Sequence, residues 1–229
     1  MGLSKKPSKA ILCMHGGGAS HDIFRFQTSA LRAALAHEYD FLYACAPHMA
    51  TPGPGVLPFF AGMDPFYSWF RPVHDDAASE VAIFNESVHK SVETYTSNNP
   101  GVRIAGVLGF SQGAVASTML LWQRQVGRVT WLPDVKFGVL LCPGYSAVAN
   151  GYMRDICEQE GRGEEGVVVQ LPTLHLHGRQ DVENLPQSRR TYATHYKGAR
   201  LVEFDGEHEV PRKMGDVRKV MDFVLGIPV

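Results

Sequence analysis

Six short apolar runs alternate with longer amphipathic segments along this 229-residue chain. The runs are rich in Ile, Leu, Val and Phe, as expected for strands buried on both faces of a parallel sheet. They occupy residues 10–14, 40–45, 102–108, 137–141, 173–176 and 200–204. Hydrophobic spacing predicts helices at residues 22–37, 76–96, 113–125, 185–196 and 213–225. The alternation predicts an α/β fold, with a mostly parallel sheet of about six to seven strands and helices on both faces.

Two segments interrupt this alternation. Residues 47–72 and 143–166 are rich in Gly or Pro, and both follow predicted strands. Loops this long inside a compact domain are usually functional or disordered, and ligands of parallel sheets bind at the carboxyl ends of the strands. We therefore expect one domain spanning 1–229, no large separate lid domain, and two irregular loops over the active site. The first loop is unusually aromatic, with Phe59, Phe60, Phe66, Tyr67, Trp69 and Phe70.

Charge and hydropathy exclude several classes of protein. A formal net charge of −1 provides no basic field for nucleic acid or an anionic membrane. No apolar run approaches the roughly 18 residues of a transmembrane helix. The polar start at 1–9 and the short apolar stretch at 10–14 do not resemble a signal peptide. These features predict a cytoplasmic protein without nucleic-acid or membrane partners.

The four cysteines lack the paired CxxC spacing of metal or redox motifs. Three of them fall in or at the end of apolar runs. The pattern favours buried free thiols over disulfides or metal ligands, and we expect neither a metal nor a cofactor. The cysteines are Cys13, Cys45, Cys142 and Cys157.

A Gly-Phe-Ser-Gln-Gly motif lies between the strand predicted at 102–108 and the helix predicted at 113–125. This is the context of the G-x-S-x-G nucleophile elbow, in which glycines let the strand and helix backbones pass close together. The serine hydroxyl then projects above the sheet at a helix N-terminus. We predict Ser111 to be a catalytic nucleophile, the alternative being a glycine-rich turn with an incidental serine.

A serine nucleophile needs a general base, and the chain order of this motif is Ser, acid, His. His208 follows the last predicted strand, whereas His195 lies on a predicted helix and is expected at the surface. Asp181 follows the preceding strand and is the preferred acid. Asp205 and Asp155 stay open as weaker alternatives. We predict His208 as the base and Asp181 as the residue that orients it.

The first strand ends in His15-Gly-Gly-Gly18, whose glycines let main-chain N–H groups approach a substrate oxygen. We predict Gly17 and Gln112 as oxyanion-hole donors, with Gly18 as an alternate to Gly17. A phosphate-binding loop is disfavoured because no G-K-[ST] follows. His15, Gly18 and the six aromatic residues of the 47–72 segment are predicted to line an apolar substrate pocket. His175 and His177 are expected to be structural, since two histidines on one strand end do not make a metal site.

Five segments together resemble the fungal serine hydrolases of the FSH type, which adopt the α/β-hydrolase fold. The segments are Leu12-Cys-Met-His-Gly-Gly-Gly, Ile23-Phe-Arg-Phe-Gln-Thr, Gly109-Phe-Ser-Gln-Gly, His175-Leu-His-Gly-Arg-Gln-Asp and Gly206-Glu-His-Glu-Val-Pro. The resemblance covers nearly the whole chain and implies a triad of Ser111, Asp181 and His208. Gly53-Pro-Gly, Pro58-Phe-Phe and Tyr67-Ser-Trp-Phe resemble the branch associated with polyketide synthases.

Members of that branch are similar to stand-alone thioesterases of lovastatin-type pathways. The resemblance therefore implies hydrolysis of an acyl thioester or ester, with release of a polyketide from an acyl carrier protein as the expected reaction. Three alternatives stay open. The same acyl-enzyme could close a lactone or carbocyclic ring, the chain could be a general small-ester carboxylesterase, or it could be a catalytically silent binding protein on this fold.

Overall fold

The computed structural model describes residues 7–71 and 76–228. The start of the polar N-terminal segment and Pro72, the last residue of the predicted 47–72 loop, lie outside the described residues. The strands are β1 (Lys9–Met14), β2 (Tyr39–Tyr43), β3 (His48–Ala50), β4 (Phe66–Ser68), β5 (Arg103–Phe110), β6 (Phe137–Leu141), β7 (Thr173–Gly178) and β8 (Arg200–Phe204). The helices are α1 (His21–Gln27), α2 (Ser29–Leu35), α3 (Ala77–Asn98), α4 (Gln112–Gln125), α5 (Ala147–Gln159), α6 (Leu185–His195) and α7 (Met214–Leu225), with a 3₁₀ turn at Glu164–Val167.

The main sheet has six parallel strands in the order β2-β1-β5-β6-β7-β8. Each corresponds to one of the six predicted apolar runs, with ends that agree to within two residues. The predicted parallel α/β architecture is therefore confirmed. The carboxyl ends of β1, β5 and β7 all open at the same edge, because every strand runs in the same direction.

Side chains of β1 alternate between two apolar layers, as the pleat of a strand requires. Ala10, Leu12 and Met14 pack with residues of α3 and α4. Ile11 and Cys13 pack with residues of α2 and α7 on the opposite face. Helices thus cover both faces of the sheet, as predicted. Full burial of one such aliphatic side chain contributes about 1.5–3 kcal/mol.

The helix predicted at 22–37 is instead two helices, α1 and α2, that meet at Thr28. The Thr28 hydroxyl donates to the carbonyl oxygen of Phe24 at 2.7 Å and lies 2.6 Å from the hydroxyl of Tyr43. The backbone of Thr28 departs from helical geometry at φ −89° and ψ 12°. A threonine hydroxyl that bonds the carbonyl four residues earlier bends a helix, and the contact with β2 fixes that bend.

The expectation that 143–166 is irregular is wrong for its central part, which forms α5. Ser146 caps this helix by accepting a hydrogen bond from the N–H of Ala149 at 3.1 Å. Its buried residues recur at helical spacing: Ala149, Met153, Ile156 and Cys157. Glycines in this segment suggested a loop, but apolar periodicity determined its structure. Between β6 and β7 of the described chain, the insertion is therefore one helix and a 3₁₀ turn, without a separate lid domain.

The segment 47–72 contains a short antiparallel hairpin that the sequence did not predict. Strand β3 pairs with β4, and Tyr67 of β4 forms a further bridge with Ala19 after the first sheet strand. Phe60 and Phe66 pack against a small buried cluster of Ala19, Ile23 and Val56. The hairpin is therefore attached directly to the loop that follows β1.

The expectation of free thiols is met within the described residues. The four cysteines are free, with Cys13, Cys142 and Cys157 buried and Cys45 half-buried. None of the described helices is long and apolar enough to cross a membrane.

Candidate active site

Ser111 occupies the sharp turn between β5 and α4. Its φ of 54° and ψ of −118° lie in a region that side-chain-bearing residues rarely adopt. The two motif glycines explain why the turn can close. A Cβ at Gly109 would lie 2.3 Å from the carbonyl oxygen of Gly113, and a Cβ at Gly113 would lie 2.1 Å from the carbonyl oxygen of Met14. Close approach of the strand and helix backbones requires glycine at both positions.

A continuous hydrogen-bond chain starts at Ser111. Its Oγ lies 2.9 Å from Nε2 of His208, and Nδ1 of His208 lies 2.6 Å from Oδ2 of Asp181. Residues from three loops at the carboxyl edge of the sheet are thereby brought together. The Ser111 hydroxyl makes no capping bond to α4, so it is available to the imidazole. Asp181 is 5% exposed, and Asn184 donates two hydrogen bonds to its other carboxylate oxygen.

The alternative acids and base lie elsewhere. Asp205 is exposed and contacts Gln180, Arg179 and Lys213. Asp155 is exposed on α5. His195 was expected at the surface, but it is 5% exposed, and its Nδ1 lies 3.3 Å from the carbonyl oxygen of Val167.

The glycine loop, which comprises residues 16–18 after β1, faces the N-terminus of α4. Gly18 donates its N–H to the carbonyl oxygen of Tyr67 at 2.8 Å, so this alternate oxyanion donor is already engaged. Within the described part of the chain, the N–H groups of Gly17 and Gln112 have no such acceptor. Gln112 begins α4, where main-chain N–H groups lack helical partners and the helix dipole favours negative charge. This pair can receive an oxygen that develops negative charge.

Comparison with known proteins shows the family of the chain. Residues 4–220 match the family described as serine hydrolase (FSH1). The chain belongs to this family of serine hydrolases. The hydrolase is 42% identical over 226 residues to esterase mlcF of Penicillium citrinum, covering 94% of this chain and 88% of the relative. It is 37% identical over 237 residues to dihydromonacolin L-[lovastatin nonaketide synthase] thioesterase of Aspergillus terreus, covering 96% and 92%.

Solved structures identify the fold of the serine hydrolase. Acyl-protein thioesterase 2 of Zea mays superposes with a TM-score of 0.62 at 20% identity, covering 99% of this chain and 97% of that chain. A carboxylesterase of Bacillus cereus superposes with a TM-score of 0.55 at 17% identity, covering 96% and 88%. These matches confirm the predicted fold, and the family match confirms that the chain is a serine hydrolase.

Two residues predicted to line the substrate pocket instead support the glycine loop from behind. His15 and Trp69 are 1% and 0% exposed. Trp69 donates its indole N–H to the carbonyl oxygen of His15 at 2.7 Å. His15 accepts at Nε2 from the N–H of Ala46 and donates from Nδ1 to the carbonyl oxygen of Gly16. Burial lowers the pKa of His15 to about 4, which keeps this neutral tautomer in place. Neither side chain presents a surface to a ligand.

The five remaining aromatic residues that were predicted to line the pocket differ in exposure. Phe59 is 86% exposed. Phe60, Phe66, Tyr67 and Phe70 are half-buried. Phe70 packs on Phe84 of α3 with ring centroids 5.5 Å apart. The aromatic segment is therefore partly core and partly open surface, and Phe59 is its most exposed ring.

His175 and His177 lie buried on the strand that leads to Asp181. Among the described residues, their four ring nitrogens have no hydrogen-bond partner. His175 packs edge-on against Tyr196, with centroids 4.3 Å apart. Burial lowers the pKa of His175 well below its ordinary value and that of His177 to about 4. Both rings are therefore neutral, and they pack under α6.

Cys142, which directly follows β6, lies beside Asp181 and His208. Its Sγ, a carboxylate oxygen of Asp181 and a ring nitrogen of His208 all lie within 4.8 Å of one another. Burial raises the pKa of the Cys142 thiol to about 12, so the sulfur is protonated near neutral pH. A metal bound here would also break the Asp181–His208 hydrogen bond. We assign no metal to these residues.

Proposed function

We propose that this serine hydrolase cleaves an acyl ester or thioester through an acyl-Ser111 intermediate, with Asp181 and His208 completing the triad. The observation that carries the proposal is the hydrogen-bond chain from Ser111 Oγ through both ring nitrogens of His208 to Asp181 Oδ2. A serine hydroxyl is a weak nucleophile near neutral pH. An imidazole held by a buried carboxylate is the base that activates it.

In the acylation step, Ser111 Oγ attacks the carbonyl carbon while Nε2 of His208 takes the hydroxyl proton. Asp181 holds Nδ1–H and stabilises the imidazolium. The carbonyl oxygen becomes an oxyanion, which the N–H groups of Gly17 and Gln112 stabilise. One such donor contributes about 2.7–4 kcal/mol to lowering the barrier. The proton on His208 then passes to the leaving alcohol or thiol as its bond to carbon breaks.

In the deacylation step, water attacks the acyl-Ser111 carbonyl carbon while His208 takes a proton from that water. The bond between the carbonyl carbon and Ser111 Oγ breaks, and His208 returns the proton to this oxygen. The products are a free carboxylic acid and the restored enzyme. The same two main-chain donors stabilise the oxyanion in both steps.

For the substrate, we infer a polyketide chain held as a thioester on an acyl carrier protein. The support is the relative named as a thioesterase of lovastatin nonaketide synthase, 37% identical over nearly the whole chain. Exposed Phe59 and half-buried Phe60 and Phe66 offer an apolar surface for such a chain. Because polyketides on carrier proteins are intermediates of secondary metabolism, we propose that the reaction belongs to secondary-metabolite biosynthesis. We also propose that the enzyme is cytoplasmic.

A general small-ester carboxylesterase is the second candidate. It is favoured by the 42% identical relative named as an esterase. The His208 side chain is also 22% exposed, which leaves the triad accessible to a small ester without a carrier. Both candidates use the same triad and differ in the acyl group and in what carries it.

A trapping experiment tests the nucleophile. Wild-type protein is incubated with a fluorophosphonate, and the adduct is mapped by mass spectrometry. We expect a single adduct on Ser111 and none in Ser111→Ala. Labelling of another serine would exclude the assignment, and equal p-nitrophenyl ester turnover by both proteins would favour a catalytically silent binding role.

A substrate comparison separates the candidates. The enzyme is given one polyketide-like acyl chain as a carrier-protein thioester and as a small-molecule thioester, with p-nitrophenyl acetate as a third substrate. The proposal predicts the highest kcat/KM on the carrier-protein thioester and a free acid as product. A higher kcat/KM on p-nitrophenyl acetate would favour the carboxylesterase, and a lactone or carbocycle would show that the substrate resolves the acyl-enzyme.

A further inference from the structure

The side chain of Gln112 connects the nucleophile turn to the segment after β4. Its Oε1 accepts hydrogen bonds from the Ser68 hydroxyl at 2.9 Å and from the Trp69 N–H at 2.8 Å. Its Nε2 donates to the carbonyl oxygen of Phe70 at 3.4 Å. One carboxamide therefore holds three consecutive residues that lie more than 40 positions earlier in the chain.

The same carboxamide also lies against the glycine loop. A Cβ at Gly17 would be 3.1 Å from Oε1 and 3.2 Å from Cδ of Gln112. Any side chain at Gly17 would therefore press on the amide that binds Ser68. The Gln112 side chain thus lies next to Gly17, the residue whose N–H is the other predicted oxyanion donor.

Hydrogen bonds on the far side of the glycine loop complete the connection. Gly18 donates to the carbonyl oxygen of Tyr67 at 2.8 Å, and Tyr67 donates to that of Ala19 at 2.7 Å. Beyond Trp69, the N–H of Arg71 donates to buried Glu80 of α3 at 3.0 Å. Hydrogen bonds therefore hold the segment 66–71 near both of its ends. This arrangement favours a rigid supporting segment over a lid that opens.

We propose that Ser68 and the Gln112 side chain are positioning residues, which hold the main-chain N–H groups of Gly17 and Gln112 in place as an oxyanion hole. This inference rests on the proposed function. Donors that are fixed before the reaction need no reorganisation when charge develops. An error of about 1 Å in their position can reduce the rate by roughly 10²-fold. Residues 68–70 thus contribute to stabilising the transition state, independently of any contact between the aromatic rings and the acyl chain.

The test compares variants that keep every main-chain N–H. Gln112→Met preserves the approximate size of the side chain but removes its hydrogen bonds. Ser68→Ala removes one of them, and Ser68→Thr keeps the hydroxyl. The matched control is Gln123→Met, because Gln123 is also buried on α4 and exchanges two side-chain hydrogen bonds with Asn85 far from the nucleophile.

The measurements are kcat and KM for one ester, Tm, and inhibition by an alkyl trifluoromethyl ketone. Ser111 adds reversibly to the ketone carbonyl as its proton passes to His208, which produces an oxyanion in the same position. We expect kcat to fall roughly 10–100-fold in Gln112→Met with KM changed less than about threefold, and ketone affinity to fall in parallel. Ser68→Ala should show a smaller loss that Ser68→Thr restores, and Gln123→Met should lower Tm alone.

Two results would overturn the inference. One is a Gln112→Met protein with wild-type kcat and ketone affinity. The other is a loss of kcat in Ser68→Ala that leaves ketone affinity unchanged, and this variant decides the matter if Gln112→Met does not fold. Failure of the proposed function is distinguishable, because wild-type protein would then show no turnover above Ser111→Ala.

Discussion

Oδ1 of Asp181 accepts two hydrogen bonds from Asn184, one from its main-chain N–H at 3.2 Å and one from its side-chain amide at 3.1 Å. The other carboxylate oxygen is left to His208. The buried carboxylate is thereby fixed in rotation, with one oxygen facing the imidazole. Charge-assisted hydrogen bonds of this kind are stronger than bonds between neutral groups. The orientation of the proposed base thus depends on a residue three positions after the proposed acid.

The first prediction concerns this acid. We expect Asp181→Asn to reduce kcat by about 10⁴-fold, because an amide would favour the wrong tautomer of His208. Asn184→Ala should reduce kcat much less, since it removes the side-chain bond and keeps the main-chain one. Asp205→Asn is the matched control and should retain wild-type turnover of a p-nitrophenyl ester. Loss of activity in Asp205→Asn alone would reassign the acid.

The second prediction compares two Gly→Ala substitutions. Gly113→Ala would place a Cβ 2.1 Å from the carbonyl oxygen of Met14 and 2.4 Å from that of His15, both main-chain atoms. We expect Gly113→Ala to abolish activity and to lower Tm or prevent folding. A Cβ at Gly151, inside α5, would meet no atom within 4 Å. Gly151→Ala should therefore raise stability by about 0.5–1 kcal/mol in urea unfolding with activity unchanged. Equal effects of the two substitutions would contradict the elbow geometry.

The third prediction concerns acid stability. Burial lowers the pKa of His15 and of His177 to about 4, against 6.5 for an ordinary histidine, and lowers the pKa of His175 well below its ordinary value. Below pH 6.5 the unfolded chain binds protons that the folded protein does not. The contribution of these buried neutral histidines to the free energy of unfolding is therefore fully present above pH 6.5. It is lost as the pH is lowered from 6.5 to 4. Each such group contributes up to roughly 1.4 kcal/mol per pH unit within this window.

Urea unfolding at several pH values from 7.5 to 4.5 measures this slope. His175→Phe keeps a ring against Tyr196 and removes one titrating group, so it should reduce the slope. His37→Phe is the control, because His37 is exposed. An identical slope in wild type and His175→Phe would show that burial of this ring does not govern acid stability.

The fourth prediction concerns the exposed aromatic ring of the 47–72 segment. Phe59 is 86% exposed, so Phe59→Ser should leave Tm within about 1 °C of wild type. If Phe59 contacts the acyl chain as proposed, KM should rise for a long-chain acyl thioester and stay unchanged for p-nitrophenyl acetate. Met49→Ser removes a similarly exposed apolar side chain from β3 and serves as the control. Unchanged kinetics for the long-chain substrate would exclude Phe59 from the acyl site.

The sequence by itself determined the sheet, the nucleophile turn and the candidate triad. Apolar runs with helical segments between them are local patterns, so the six strands were predicted with ends within two residues of those observed. The two glycines of the Gly-Phe-Ser-Gln-Gly motif predict Ser111 as the nucleophile. His208 and Asp181 followed from the chain order of strands, since the ends of parallel strands meet at one edge.

Only the tertiary structure decided how the surrounding residues support that site. Gln112 meets Ser68 across 44 positions, and Trp69 meets His15 across 54, so neither contact leaves a local pattern in the sequence. The path of residues 47–71 decides whether their aromatic rings are buried or exposed, and hydrogen bonds of Tyr67 with Gly18 and Ala19 join this path to the loop after β1. Local hydrophobic periodicity therefore predicts the strands of the main sheet and most of the helices, whereas contacts between distant polar groups determine which side chains lie beside Ser111 and which lie behind the glycine loop.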